Sequence, residues 1–168
     1  RSLPASLLTG ANCTMQIDLW NYCLNLYARP GVEQACLRLQ AQGLDVCLLL
    51  SAAWLEYRGV PCDEARLAQL KACAGPWQRE VVQPLRQLRT QWREAALHDE
   101  VLALLRTQIK ALELDAEREV LRRLESVTQG WPSAQSDRDC DWLQRMASAV
   151  DLPDRDALHK LRAAINPA

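Results

Sequence analysis

The chain reads as all-α: a single-domain bundle of about six to eight helices around a buried third helix. Three observations predict this. Apolar residues recur at three- and four-residue steps almost throughout, the mark of amphipathic helices. Strand-like alternation is nowhere sustained. One segment, "VCLLLSAAWLEY", is apolar on nearly every side, as a helix enclosed by others must be.

The first helix follows Asp18, a good N-cap residue. Trp20, Cys23, Leu24 and Tyr27 share one face of it. Pro30 and Gly31 end it, because the residue before a proline is pushed out of the α region. "RPG" therefore has the chemistry of a helix–helix corner. The second helix carries Val32, Ala35, Cys36 and Leu39 on one face and stops at Gly43, so the two short helices are expected to pack as a hairpin. Asp45 caps the third, buried helix, Val46 to Tyr57. Gly59, Val60 and Pro61 break the chain, and "DEARLAQLKACAG" forms the fourth helix, with acids in its first turn where the dipole favours them.

The fifth helix is expected from Pro76 to about Glu94, with Trp77, Val81, Leu85, Leu88 and Trp92 as its stripe. Pro84 should kink or split it. The sixth is the longest, about Glu100 to Val127. Its stripe is Leu102, Leu105, Ile109, Leu112, Ala116, Val120, Leu124 and Val127. "TQGWPSAQSDRD" reads as loop. Two short helices follow, near Cys140–Ala149 and Asp154–Ile165. Residues 1–14 are read as an extension ahead of Met15, with disorder expected. Residues 15–168 form the helical domain, of which 130–168 is expected to be a less tightly held C-terminal part.

Composition narrows the function. The formal charge is −1, so no global field would draw the surface to nucleic acid or an acidic membrane. No apolar run approaches the ~20 residues a bilayer span needs. Seven cysteines, at 13, 23, 36, 47, 62, 73 and 140, show no C-x-x-C spacing. They read as free thiols filling small core sites in a reducing compartment, the cytoplasm. No metal site and no cofactor is expected. Gly-rich phosphate loops, G-x-S-x-G and H-E-x-x-H are missing, and the two histidines, His98 and His159, have no cysteine placed beside them by sequence. Catalysis is therefore not the first expectation.

"LWNYCLNLYARPGVEQACLRLQAQGLDVCLLLSAAWL" resembles an uncharacterised bacterial family of small helical proteins, a domain of unknown function. The residues that carry the resemblance are Leu19-Trp20, Tyr27 to Val32, and Gly43 to Leu50. "PWQREVVQPLRQLR" and "ALELDAEREVLRRL" are also similar, so it spans roughly residues 18 to 125. Cys47 departs from the pattern, which has asparagine after Asp-Val. The resemblance implies a cytosolic bacterial protein and supplies no reaction, ligand or catalytic residue.

Three sets of side chains stand out. Arg79, Arg86 and Arg93, spaced by seven, nearly align, with Arg89 beside them. They form either a docking strip for an acidic partner or a solvated face paired with Glu113, Asp115, Glu117 or Glu119. Trp20, Tyr27, Arg29, Asp45, Trp54 and Tyr57 could line a pocket near the first corner, or simply pack in the core. Arg29 is expected to hold a carboxylate such as Asp45. Asp137, Asp139 and Asp141 alternate like the start of a calcium loop, but glycine is missing at the sixth position and glutamate at the twelfth, so they are expected to cap the next helix. The reading drawn from these features is an adaptor or regulator binding another protein through an exposed helix face. A pocketed ligand-binding or catalytic bundle and a homodimer joined through the sixth helix are the alternatives.

Overall fold

The computed structural model describes residues 17–133 and 141–165, and these are helical and loop throughout, with no strand among them. In order they form α1 (Leu19–Tyr27), α2 (Val32–Ala41), α3 (Val46–Tyr57), α4 (Glu64–Trp77), a π-helical segment (Gln78–Val82) and α5 (Gln83–Gln91). A short 3₁₀ turn (Ala95–Leu97), α6 (Glu100–Val127), α7 (Trp142–Ala147) and α8 (Arg155–Ile165) complete them. Residues 1–14 and the aspartates at 137 and 139 lie outside the described residues, as do Cys13 and Cys140.

The caps explain where several helices start. Asp18 accepts from the Asn21 amide, Asp63 from Arg66 and Asp99 from Leu102. Asp45 accepts from Cys47 and Leu48 at the start of α3. Each satisfies a first-turn N–H that has no partner within the helix. α6 begins and ends where its spacing predicts.

α3 is the central rod. Every residue from Cys47 to Leu55 is buried, whereas Tyr57 at its end is half exposed, tilted against Tyr22 with ring centroids 5.3 Å apart. α7 and α8 both pack on α3, and α8 also covers the broad face of α2. α2 therefore has α8 rather than α1 as its main neighbour. The fully buried Trp142 of α7 donates from Nε1 to the Val60 carbonyl at 2.7 Å. At the start of α7 the expected cap is not made: Asp141 bonds Arg145, and the Leu143 amide is taken by Glu56 of α3 at 2.8 Å. A carboxylate brought by the fold has replaced the local one.

The corner after α1 is held from outside. Gly31 sits at φ +81°, and a Cβ there would press on the Lys160 side chain of α8. Arg29 donates to the Ala164 carbonyl in the last turn of α8, not to Asp45. The final carbonyls of a helix lack intrahelical donors and carry its negative end, so they attract a guanidinium.

Two expectations about the middle of the chain are corrected. No break falls at Gly75-Pro76: the helix runs on through Trp77 into the π-helical segment and α5. There the Gln83 amide reaches back five residues to the Gln78 carbonyl. This wider turn lets Pro84, which has no N–H, enter as if in a helix's first turn. The second correction concerns α6. Its C-terminal half is packed, with Ala116, Val120, Leu121 and Leu124 buried. Leu105 and Leu112 of the expected stripe are instead about half exposed. Neither α5 nor residues 100–112 contribute a buried side chain. Together they make a two-helix arm, zipped by half-buried Leu85, Leu88, Trp92, Leu102 and Ile109.

Candidate functional site

α1 presents two adjoining faces. Leu19, Tyr22, Cys23 and Leu26 go into the core. The stripe read from the sequence, Trp20, Cys23, Leu24 and Tyr27, borders a cleft of about 330 Å³, and Leu24 is half exposed at its rim. The loop before α3 and its first turn, from Gly43 to Cys47, make the floor. α6 closes the far side with Leu114, Glu117 and Leu121, and Gln78 and Arg86 complete the wall. The Leu-Trp, Tyr-x-Arg-Pro-Gly-Val and Gly-x-Asp-Val stretches thus each send residues to one hollow. Cys47 lies in it, buried.

The aromatic set divides. Trp20, Tyr27 and Asp45 line the cleft; Arg29, Trp54 and Tyr57 do not. α3 opens on the cleft at its first turns, and Trp54 lies about 13 Å farther along the rod, nine residues from Asp45. Its indole donates to the Ile17 carbonyl at 3.1 Å and carries Arg58 on its ring. It borders a second hollow of about 260 Å³ beside Glu125 and Thr128.

The four arginines also divide. Arg86 donates from Nε to Glu113 and from Nη2 to Glu117, at 3.0 and 2.9 Å. Arg89 holds both oxygens of Glu113, the shorter bond 2.5 Å. Arg79 and Arg93 are exposed and outside this network. The strip is therefore not one open surface: its middle two members fasten α5 to α6. Of the acids considered as partners, Glu113 and Glu117 serve, while Glu119 pairs with Arg122 and Arg123 of its own helix.

Electrostatics follow from burial. Burial would raise Glu113, but hydrogen bonds from Arg89 and Arg86 bring it below the ordinary value. Burial raises Glu117, against the pull of Arg86. Burial likewise raises Asp45, although two backbone amides and Arg86 oppose it. The Cys47 thiol is pushed well above its usual range by burial, with Asp45 and Glu117 adding to the effect. That direction keeps it protonated and unsuited to nucleophilic attack. The cleft has the volume of a small ligand pocket, and a protonated Cys47 beside Asp45 and Glu117 does not make a nucleophile–base pair.

Sequence reasoning missed Gln78 and Glu117 as wall residues. Gln78 donates to Asp45 at 3.2 Å across the cleft, a contact that depends on the helix continuing through Pro76. Glu113 and Glu117 stand at i, i+4 on a helix whose neighbouring face is buried, and that placement was the available signal.

No helix among the described residues is long and apolar enough to cross a membrane. Residues 18–124 match a family model described as "Protein of unknown function (DUF2390)". No curated protein and no solved structure matches the chain.

Proposed function

We propose that this chain, which belongs to the DUF2390 family, is a protein-interaction module that docks a helix on the open face of α6. The helix it docks is α6 of a second copy. The supporting observation is an apolar stripe on the arm. Leu97, Val101 and Leu104 are 77, 69 and 68 % exposed, and Leu105 and Leu112 are about half exposed. Isolated exposed leucines need no explanation, but a contiguous row on a projecting helix is what a contact surface looks like.

A second copy is favoured over another protein by the spacing. Leu104 and Leu105 stand four and three residues before Gln108; Ala111 and Leu112 stand three and four after it. An isologous contact requires a self-complementary surface. With two α6 helices antiparallel and Gln108 at the axis, the Leu104–Leu105 pair of one copy covers the Ala111–Leu112 pair of the other. No charge lies on the stripe between Val101 and Leu112, so the Leu104–Leu105 and Ala111–Leu112 pairs at the centre meet without like charges; farther out, Val101 of one copy meets Asp115 of the other. The arm gives this face reach, because α5 covers the opposite side of α6 and the body lies beyond Leu112.

Light scattering at tens of micromolar tests the reading. A mass twice the 19.0 kDa of one chain, falling to the single-chain value in Leu104→Glu, is expected. A wild-type chain that stays at the single-chain mass refutes it. We also read the protein as cytoplasmic, on the strength of its free cysteines.

A further inference from the structure

A second and separate surface is the cleft between α1, α3 and α6, where two carboxylates each keep an oxygen that accepts no hydrogen bond from the described residues. Asp45 spends Oδ1 on the Cys47 and Leu48 amides and on Gln78, and its Oδ2 accepts nothing from the described residues. Glu117 spends Oε1 on Arg86, and its Oε2 likewise accepts nothing. Arg86, the cation of the wall, is already shared between Glu113 and Glu117. Two carboxylate oxygens that accept nothing from the described residues therefore border one cleft. Trp20, Leu24, Leu50, Leu114 and Leu121 give it an apolar and aromatic wall, beside the amides of Gln40 and Gln83.

We propose that this cleft binds a small organic cation, a primary ammonium on a short apolar stem. The ammonium has three donors and one charge. It would place donors on Asp45 Oδ2 and Glu117 Oε2 and lay its stem against Trp20 and the leucines. An anion would meet two carboxylates and an arginine whose charge is already compensated, which disfavours it. About 330 Å³ is at the small end for ligand pockets, so the stem is short. The site stands whether or not two copies pair through α6, because its walls come from one chain and lie away from Gln108.

The test is a titration followed by amide ¹H–¹⁵N NMR with three probes of equal length: hexylammonium, 1-hexanol and hexanoate. Hexylammonium should shift the Cys23, Leu44, Cys47 and Leu121 amides saturably, at least tenfold more tightly than 1-hexanol. Hexanoate should leave them unmoved. Glu117→Gln should remove the preference for the ammonium over the alcohol. Asp45→Asn, which keeps the helix cap, should weaken ammonium binding even if Glu117→Gln disturbs the fold. Equal binding of alcohol and ammonium would overturn the proposal, as would tighter binding of hexanoate. So would hexylammonium shifts confined to other residues, or none at all.

Discussion

Arg86 reaches from α5 to Glu113 on α6, Nε to Oε1 at 3.0 Å, and the same guanidinium holds Glu117 one turn farther on. Arg89 shares Glu113. Glu113 is buried although it is charged, and such a group is tolerated only when paired. The arm has no buried apolar residue of its own on α5, so this network joins half-buried Leu85, Leu88 and Trp92 in holding α5 against α6.

Glu113→Gln should therefore destabilise the protein by about 2–3 kcal/mol, below the range for a fully buried pair because both arginines reach solvent. The folded state holds Glu113 below the ordinary carboxylate value. Its contribution is then complete above about pH 4.5, the unfolded value, and is lost as pH falls through the folded one. Urea unfolding of both proteins should show the full difference at pH 7, shrinking below pH 4.

Asp45 predicts the opposite sign. Burial raises its carboxyl above the ordinary 3.8, so the fold disfavours its charged form, and that penalty is greatest above the folded value. Asp45→Asn keeps the cap and removes the charge. It should match or exceed wild-type stability at pH 7, with the wild type gaining on it as pH falls through the raised value. Asp45→Ala loses the cap and should cost about 1 kcal/mol. Thermal melts at pH 7 and pH 4 check both.

Trp142 ties α7 to the loop after α3. Trp142→Phe should cost about 1 kcal/mol for the lost bond to Val60. Trp142→Ala should cost about 3–5 kcal/mol for the cavity as well. Denaturant midpoints at constant slope report these values.

Gly31 and Gly43 both have positive φ, +81° and +96°. A Cβ at Gly43 meets nothing, whereas at Gly31 it meets Lys160. Gly43→Ala should cost about 1 kcal/mol of backbone strain. Gly31→Ala should cost more, and Lys160→Ala should bring the two costs together in a double-mutant cycle.

Much of the architecture could be read from residue spacing. α6 was delimited because three–four steps carry it from about Glu100 to Val127. α3 was recognised because it has no polar side. Gly75-Pro76 misled, since proline and glycine usually punctuate, yet a π turn downstream absorbed the misfit. At the site, Trp20, Tyr27 and Asp45 were legible and Trp54, Tyr57 and Arg29 were not. Periodicity says which way a side chain faces; it does not say which neighbour waits there or how far along the rod the hollow extends. Pairing of Arg86 and Arg89 with acids of α6 was one of the two alternatives the sequence offered; spacing alone does not say which of those acids, more than twenty residues away, come within reach.

The pairing of two α6 helices is tested most directly at its proposed axis. Gln108→Cys should form a disulfide-linked species of twice the chain mass under mild oxidation, and Lys110→Cys, on the other side of the helix, should not. If Gln108→Cys stays single-chain while Lys110→Cys cross-links, or if neither does, α6 does not dock on its own copy.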